Sequence, residues 1–513
     1  MHGSQRPRLR RELVVDGDNR ESSLPPASLL DLPEKAVQFG TGAFLRGFVD
    51  VFIDAANRQG MFGGRIVAIG STPGARDVAL NDQDGLYTLV VEGASEIGTV
   101  SENRVIASVS RALAAQREWP AILDLARNPA LELVLSNTTE VGIALDERDR
   151  LDDAPPTSFP AKLTRFLLAR GRAFDYAHNA GVVVIPCELI ERNGEQLREL
   201  VLSLARRWRL EPEFADWITR AVPFCNTLVD RIVPGTPDDA RREELERVFG
   251  YRDELMIVAE PYRLFAIEAD ASLRGRLSFA SADNGIVLTD DVTPYRERKV
   301  RILNGGHTLL ASIGLLLGCE TVIEAVRHDM LCPYLRRVLD LEIVPTLDVP
   351  DATQFASDVL TRFGNPYLRH ALKDIAFQHT AKVRVRLVPS IIRYVERTGS
   401  VPRYLAFGFA AYLLLLRESP PAADNEGDAI RALWRDIRDD SREVLRGLVN
   451  DACSHATLWH ADLLHVPGFA EYVLSDLAQM RQLGVGSALE NLLDRNDTVR
   501  PALASSSSTR SRP

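Results

Sequence analysis

The chain has 513 residues, of which 45% are hydrophobic and 26% are charged, and its formal net charge is -10. This length exceeds that of one ordinary core and indicates two or three domains, while the composition is that of a soluble globular protein. An acidic chain lacks the clustered basic footprint that nucleic acid and anionic membranes require. We therefore expect a small-molecule ligand and neither nucleic acid nor a membrane as partner, while no pattern decides the oligomeric state.

The N-terminus, the apolar runs and the cysteines together indicate a cytoplasmic location. The first residues are polar and lack the apolar segment of a signal peptide. The longest apolar run, Tyr404 to Leu416, is shorter than the roughly 18 residues that span a bilayer, and it predicts a buried core helix. The five cysteines form no CxxC pair, so they indicate neither a disulfide framework nor a structural zinc site.

The elements in chain order predict an α/β fold, with an N-terminal Rossmann-like parallel-sheet domain followed by an all-α C-terminal domain. Low apolar content predicts a flexible tail over residues 1–33 and a disordered tail over residues 499–513. Within residues 34–290, helical stretches alternate with the β-branched runs KAVQFG, GRIVAIGS, LELVLSNTT and GVVVIPCE, which is typical of a buried parallel sheet. Helical periodicity dominates residues 291–498 and predicts the second domain.

The first predicted strand leads directly into a glycine-rich loop, VQFGTGAFLRGF, at residues 37–48. Gly40 and Gly42 permit a tight turn and a close approach of the backbone to a pyrophosphate, and the following helix offers its N-terminal N–H groups to the anion. Leu45 stands where a dinucleotide fingerprint has its third glycine, so the fingerprint is matched only in part. Another nucleotide ligand and a plain strand-to-helix turn therefore stay open.

The end of the second predicted strand does not decide between NAD and NADP. Ser71 stands where an NAD-specific domain usually has an acid for the ribose hydroxyls. Arg76 is close in sequence and is either a partner for a 2′-phosphate or a solvated loop residue.

The segment RERKVRILNGGHTLLAS, residues 296–312, carries the residues best suited to chemistry. In a continuous α-helix of about 100° per residue, Lys299, Asn304 and His307 share one side. There an amine can exchange a proton while an amide and an imidazole hold an oxygen. Because a helical glycine costs about 1 kcal/mol, the pair Gly305-Gly306 suggests room for a substrate or a nicotinamide ring. A solvated basic run and a core histidine are the structural alternatives.

Seven stretches in order resemble the long-chain polyol dehydrogenases related to mannitol dehydrogenase, from about Lys35 to about Leu493. They are VQFGTGAFLRGF, LSNTTEVGI, DDAPPTSFPAKLTR, VIPCELIERNG, FCNTLVDRIV, KVRILNGGHT and RFGNPYLRH. Within the family the chain looks most like the keto-hexuronate reductases. The resemblance implies NAD, no metal, and reversible hydride transfer that reduces a keto-hexuronate such as tagaturonate to an aldonate. An epimeric keto-uronate, mannitol as substrate, and a catalytically silent NAD-sensing protein are the alternatives.

The resemblance also implies roles for single residues. Lys299 falls on the family's general acid and base, and Asn304 and His307 fall on its oxyanion-positioning pair. Asn193 matches a substrate-binding position, although Cys187-Glu188-Leu189 departs from the Cys-Asp-Asn of mannitol dehydrogenases. The implied cofactor-binding residues are Val37, Gln38, Phe39, Gly40, Thr41, Gly42, Ala43, Phe44, Leu45, Arg46, Gly47, Phe48, Asn137 and Thr138.

A buried substrate carboxylate would need cations or several hydrogen-bond donors. The segment at residues 369–386 offers Arg369, His370, His379, Lys382 and Arg384. At helical spacing His379 and Lys382 share a face, so both are candidate substrate-binding residues, with Lys382 the first choice. The alternative is a solvated helix face.

Overall fold

The structure is a computed structural model that describes residues 6–16, 24–71, 76–95, 98–138, 142–367, 370–435, 437 and 439–496. The chain divides into two compact units, Met1–Tyr295 and Arg296–Pro513. This division falls close to the predicted boundary at residue 290. The disordered tail predicted for residues 499–513 lies outside the described residues.

The first unit is built around a five-stranded parallel sheet. The strands of the whole unit are β1 Glu34–Phe39, β2 Arg65–Gly70, β3 Tyr87–Ser95, β4 Gly98–Ile106, β5 Val109–Ala114, β6 Leu133–Ser136, β7 Val183–Pro186, β8 Thr227–Asp230, β9 Ile257–Ala259, β10 Leu264–Glu268 and β11 Ile286–Thr289. The main sheet has the order β5-β2-β1-β6-β7, and all its pairs are parallel. Its central strands are buried apolar runs because helices cover both faces. The predicted Rossmann-like parallel sheet is confirmed.

Two smaller mixed sheets accompany the main sheet in the first unit. One has the order β4-β3-β9 and the other β11-β10-β8, each with one antiparallel and one parallel pair. The α-helices are α1 Arg11–Asp16, α2 Ala43–Arg46, α3 Val49–Arg58, α4 Arg76–Asp82, α5 Ala115–Leu125, α6 Phe159–Ala173, α7 Asn193–Arg207, α8 Pro212–Ala221, α9 Asp239–Phe249 and α10 Ala271–Arg274. Short 3₁₀ helices lie at Ala27–Asp31, His178–Ala180 and Ser278–Ala282.

The described part of the N-terminal segment differs from the flexible tail predicted for residues 1–33. Leu9, Val14 and Leu30 are buried in one hydrophobic cluster with Leu86 and Tyr251. The segment has few apolar residues, but those few are spaced so that they reach the body of the unit. Burial of these side chains fixes a stretch that composition alone marks as mobile.

The described part of the second unit is helical and contains no strand. After α11 Thr293–Arg298, its α-helices are α12 Gly305–Leu316, α13 Val322–Arg327, α14 Leu331–Val338, α15 Ala352–Phe363, α16 Leu372–Ile375, α17 His379–Arg386, α18 Val388–Thr398, α19 Arg403–Glu418, α20 Asp428–Trp434, α21 Arg442–Cys453, α22 Ala456–Trp459, α23 Phe469–Leu483 and α24 Val485–Asn496. Two π-helices lie at Lys299–Asn304 and Leu339–Ile343, and 3₁₀ helices at Val344–Thr346 and Leu463–His465. The predicted all-α domain is confirmed.

Helix α19 forms part of the core of the second unit. Every residue from Tyr404 to Leu416 is buried, which confirms the predicted core helix. In the described ranges no helix is long and apolar enough to cross a membrane.

Candidate functional site

The segment that carries Lys299, Asn304 and His307 is not the continuous α-helix that the sequence predicts. Lys299–Asn304 is π-helical and α12 begins at Gly305. A π-helix has i→i+5 hydrogen bonds and occurs frequently at functional sites. The step of about 100° per residue therefore does not hold between Lys299 and His307. The prediction that the three side chains share a side rests on a geometry that the chain does not have here.

The imidazole of His307 is held in a buried aromatic cage in the second unit. Its ring centroid lies 4.3 Å from that of Phe363 and 4.9 Å from that of His370, and the two histidine rings are T-shaped. His307 is 7% exposed, and its Nε2 has no hydrogen-bond partner among the described residues. A buried polar atom without a partner is costly, so a ligand oxygen is the natural group to complete this site.

The surroundings of His307 keep its imidazole neutral. Burial lowers its pKa well below the ordinary value, and the neighbouring His370 and the cations Arg386, Arg362 and Lys299 lower the pKa further. A neutral imidazole retains one N–H group that can donate to a carbonyl or alkoxide oxygen.

Lys299 and Asn304 are both half-buried and lie on the π-helix next to His307. The basic run around Lys299 is not a solvated face, because the Arg298 guanidinium lies 4.6 Å from the ring centroid of Phe355. The main-chain oxygen of Asn304 accepts a hydrogen bond from Thr308 Oγ1 at 2.9 Å. The charge of Lys299 is close enough to lower the pKa of His307. The structure thus brings Lys299 and His307 together, and their roles stay predictions.

The two glycines of this segment face protein and not open space. A Cβ atom at Gly306 would lie 3.2 Å from Phe363 Cε2, and one at Gly305 would lie 3.5 Å from Leu387 Cδ2. The expectation that the glycines clear room for substrate or cofactor is therefore wrong. They allow close packing, and Gly306 leaves room for the Phe363 ring, which packs against His307 at an interplanar angle of 32°.

His379 is fully buried in the second unit, and its predicted role in substrate binding stays a prediction. It is 0% exposed, and its Nε2 lies 2.8 Å from Ser312 Oγ. Burial lowers its pKa to about 3, so it is uncharged at neutral pH. A neutral, enclosed imidazole offers no charge to a substrate carboxylate.

The other cations of the predicted carboxylate cluster differ in their surroundings. Lys382 is half-buried, and its Nζ donates to the main-chain oxygen of Ile375 at 2.8 Å. Its charge lowers the pKa of the half-buried His370, after the larger effect of burial. Arg384 is paired with Glu426, and Arg369 lies outside the described residues. Lys382 as a substrate ligand stays a prediction.

Two further arginines, which the sequence did not single out, lie near His307. Arg386 Nη1 donates to the main-chain oxygen of Asn304 at 3.3 Å and to Thr308 Oγ1 at 3.1 Å. Arg362 is 5% exposed and contributes to the low pKa of His307. Only the alternation of arginines in KVRVR marked Arg386, and that pattern equally fits a solvated helix.

Asn193 is the first residue of α7, and its side chain is enclosed by the protein. It is 0% exposed, and its Nδ2 contacts the oxygens of Pro186 and Glu188 and Thr227 Oγ1, each at 3.0 Å. Its Oδ1 accepts from the main-chain N–H groups of Gly194 and Thr227, each at 2.9 Å. All of its polar atoms are used within the protein, which contradicts the prediction that Asn193 binds substrate.

The glycine-rich loop of the first unit has the geometry of a ligand cradle. Gly40 has a φ of +133°, which favours glycine, and a Cβ atom there would lie 3.1 Å from Leu45 Cδ1. A Cβ atom at Gly42 would meet nothing within 4 Å. Leu45, at the third-glycine position, is buried and packs beneath the turn. Leu45 therefore fills the space on the protein side of the loop, while the space next to Gly42 is open.

The helix after the loop is interrupted. Four residues form α2, and α3 starts after Gly47, where a Cβ atom would lie 2.7 Å from Val233 Cγ1. Arg46 is buried and supports the loop from below, because its Nε donates to the oxygen of Thr41 at 3.3 Å. The side chains of six predicted cofactor-binding residues are buried, and their role stays a prediction: Val37, Gln38, Phe39, Leu45, Arg46 and Phe48. Thr41, Gly42, Ala43 and Phe44 are half-buried, and with Gly40 they form the accessible part.

A buried carboxyl group joins the ends of β6 and β7 beside this loop. Glu188 Oε1 accepts from the N–H of Thr138 at 2.9 Å, and its Oε2 accepts from Ser136 Oγ at 3.1 Å. Asn137 Nδ2 donates to the oxygen of Cys187 at 2.7 Å. Burial raises the pKa of Glu188. Glu188, which departs from the mannitol dehydrogenase pattern, therefore holds the predicted cofactor residue Thr138, and the main-chain oxygen of Cys187 holds Asn137.

The first unit also has a cavity at the carboxyl ends of its parallel strands. A cavity of about 630 Å³ is lined by Ser71, Thr138, Phe159 and Lys162, among others. Ser71 and Thr138 follow the carboxyl ends of β2 and β6, and this end of a parallel sheet is where such folds bind nucleotides. Among the residues that the structure describes, no group of three or more His, Cys, Asp or Glu side chains could hold a metal ion.

Comparison with known families and proteins covers both units. A family model for the mannitol dehydrogenase Rossmann domain matches residues 34–281, and one for the mannitol dehydrogenase C-terminal domain matches residues 291–481. The chain is 40% identical to the altronate oxidoreductase of Bacillus subtilis, covering 91% of this chain and 97% of that protein. It is 41% identical to the altronate oxidoreductase of Klebsiella pneumoniae subsp. pneumoniae, covering 90% and 97%.

Two solved structures share the fold. The Pseudomonas fluorescens mannitol 2-dehydrogenase in ternary complex with NAD and D-mannitol has a TM-score of 0.71 at 25% identity, covering 95% of this chain and 100% of that chain. A D-sorbitol dehydrogenase in substrate-free form has a TM-score of 0.74 at 24% identity, covering 90% and 96%.

Proposed function

The chain belongs to the mannitol dehydrogenase family, and from this premise we propose that it is an NAD-dependent oxidoreductase that interconverts tagaturonate and altronate. The proposal is supported by altronate oxidoreductases that are 40% and 41% identical over nine-tenths of the chain. In the reductive direction the keto carbon gains a hydride and its oxygen gains a proton. The cytoplasmic location expected from the sequence stays a prediction.

The first unit would hold the cofactor. The open turn at Gly40 to Phe44 suits the pyrophosphate, and Ser71 and Thr138 line the cavity beside it. When bound, the cofactor would supply the hydride as NADH in reduction and accept it as NAD+ in oxidation. Ser71 carries no negative charge that would repel a 2′-phosphate, so NADPH belongs in the same assay as NADH.

The second unit would supply proton transfer and oxygen binding. The observation that carries this assignment is the buried Nε2 of His307, which has no partner among the described residues and stands beside the π-helix with Lys299 and Asn304. In its neutral form His307 can donate to the substrate oxygen, as can the amide of Asn304. Lys299 then gives the proton in reduction and takes it in oxidation.

An acidic sugar suits the electrostatics around His307. The positive groups that lower its pKa include Arg386, Arg362 and Lys299, and Lys382 acts in the same way on His370. A substrate carboxylate and a developing alkoxide are both stabilised by such surroundings. A neutral polyol would gain only from the second of these effects.

A parallel substrate panel is the direct test of the activity. NADH absorbance is followed with tagaturonate, fructuronate and fructose, and each reaction is repeated with NADPH. We expect the highest kcat/KM for tagaturonate with NADH. Turnover of fructuronate or fructose at a higher kcat/KM would refute the substrate assignment, and no turnover with any of them would favour a silent NAD-sensing protein.

The variant Lys299→Met tests the proton-transfer role. We expect kcat to fall by about 10²–10⁴-fold, the usual contribution of a positioned acid or base. The matched control is Lys373→Met, which removes an exposed lysine of α16 in the same unit. Near-normal turnover of Lys299→Met across the pH range would remove Lys299 from the mechanism.

A further inference from the structure

Helix α17 is fastened to α12 near both of its ends. At the start of α17, His379 Nε2 lies 2.8 Å from Ser312 Oγ, which itself donates to the main-chain oxygen of Thr308 at 3.0 Å. At the end of α17, Arg386 contacts Thr308 and Asn304. His379, which the sequence assigned to substrate binding, thus makes one of two hydrogen-bonded contacts between these helices.

The second hydrogen-bonded contact lies at the junction between the π-helix and α12. Asn304 is the last π-helical residue, and its main-chain oxygen accepts from both Thr308 Oγ1 and Arg386 Nη1. Arg386 Nη1 also reaches Thr308 Oγ1, so the three groups form a closed triangle with sides of 2.9, 3.1 and 3.3 Å. The hydroxyl of Thr308 donates to the carbonyl and accepts from the guanidinium.

A second arginine makes the reverse contact. Arg301, within the π-helix, donates through Nη1 to the main-chain oxygen of Val385, the neighbour of Arg386. Its Nε and Nη2 donate to Glu297 Oε2, which holds the guanidinium in place. The contact is therefore reciprocal: Arg301 of the π-helix donates to the main-chain oxygen of Val385, and Arg386 of α17 donates to that of Asn304.

We infer that Arg386 is a positioning residue that holds the π-helix junction so that Asn304 and His307 keep their relative placement. A π-helix has a hydrogen-bond register that differs from the α-helices on either side, so its end needs support from outside the helix. A guanidinium suits this role because its N–H groups bond two oxygens at fixed angles. This inference rests on the proposed function, in which Asn304 and His307 bind the reacting oxygen.

The charge of Arg386 has a second effect on the same site. It is among the groups that lower the pKa of His307, together with His370, Arg362 and Lys299. Keeping the imidazole neutral preserves one nitrogen as a donor without adding a second buried charge. Position and charge therefore act together on His307.

The test compares variants of the whole enzyme in the reduction of tagaturonate by NADH. We expect Arg386→Gln to lower kcat by about 10–100-fold, because small displacements of catalytic groups have effects of this size, with KM changed less than about threefold. Arg386→Lys should recover part of the loss, and Thr308→Val should lower kcat in the same direction. The control is Arg397→Gln, which removes the ion pair of α18 with Asp348 and should leave kcat near that of the unchanged enzyme.

Hydrogen exchange of the segment from Lys299 to Thr308 gives a readout that does not depend on turnover. Exchange should rise there in Arg386→Gln and not in Arg397→Gln. An unchanged kcat, a rise in KM alone, or an equal loss in both variants would overturn the inference. If the unchanged enzyme does not reduce tagaturonate, the proposed function fails, while an equal exchange pattern in the two variants would reject the positioning role separately.

Discussion

The buried Asp50 makes the stability of the first unit depend on pH. Asp50 lies on α3, is 0% exposed, and accepts a hydrogen bond from the hydroxyl of Tyr87 at 3.3 Å. Burial raises its pKa from 3.8 to about 7, although the nearby charge of Arg46 opposes the shift. The perturbation we choose is Asp50→Asn, which keeps the shape and the acceptor for Tyr87 but has no proton to lose.

The sign and size of the effect follow from this shift. In the unfolded chain Asp50 loses its proton near pH 3.8, but in the folded chain it keeps the proton up to about pH 7. The folded state therefore binds more protons within this window, and stability falls as the pH rises through it. At 1.36 kcal/mol for each pKa unit, the rise from 3.8 to about 7 lowers the free energy of unfolding by about 4 kcal/mol across this window. Above pH 7 the loss is complete, and below pH 4 it is absent.

The assay is thermal melting of the unchanged protein and of Asp50→Asn at several pH values from 4.5 to 8. We expect the melting temperature of the variant, relative to that of the unchanged protein at the same pH, to increase as the pH rises. The control is Asp124→Asn, which removes an exposed carboxylate of α5 paired with Arg127 and should show no such trend. A constant difference between Asp50→Asn and the unchanged protein across this range would refute the reasoning.

Two glycine substitutions test the packing of the sites. In Gly306→Ala the new methyl group would lie 3.2 Å from Phe363 Cε2, so we expect a loss of about 1–3 kcal/mol of stability and a lower kcat, measured by melting and turnover. Gly447→Ala, where a Cβ atom meets nothing within 4 Å, is its control and should be neutral or stabilising. Gly42→Val should weaken NADH binding in a fluorescence titration with little change in melting temperature, and unchanged affinity would contradict a cofactor at this turn.

The main features of the fold could be predicted because the central sheet is covered on both faces. Its strands are short, nearly continuous apolar runs such as β6 and β7, which differ clearly from helical periodicity. The smaller sheets escaped prediction because strands such as β9 have only three residues. The packing of Leu9 and Val14 escaped because burial there depends on contacts with residues distant in sequence.

The site could be predicted in its residue types but not in its geometry. A motif identifies Lys299, Asn304 and His307, yet no local signal distinguishes i→i+5 from i→i+4 hydrogen bonding. Asn193 matched a pattern, but its role depends on Thr227, which lies 34 residues later and takes up its amide. Arg386 escaped because its contact with Asn304 spans 82 residues.

The contacts of Glu188 give the first unit an order of assembly during synthesis. Asn137 and Thr138 stand at the end of β6, yet the groups that hold them, the oxygen of Cys187 and the carboxyl of Glu188, lie 50 residues later. A nascent chain that has left the ribosome only as far as α6 has the glycine-rich loop but not these partners. The edge of the sheet beside the loop is thus completed by a late segment, and a growing chain acquires its full nucleotide pocket only after β7 has docked.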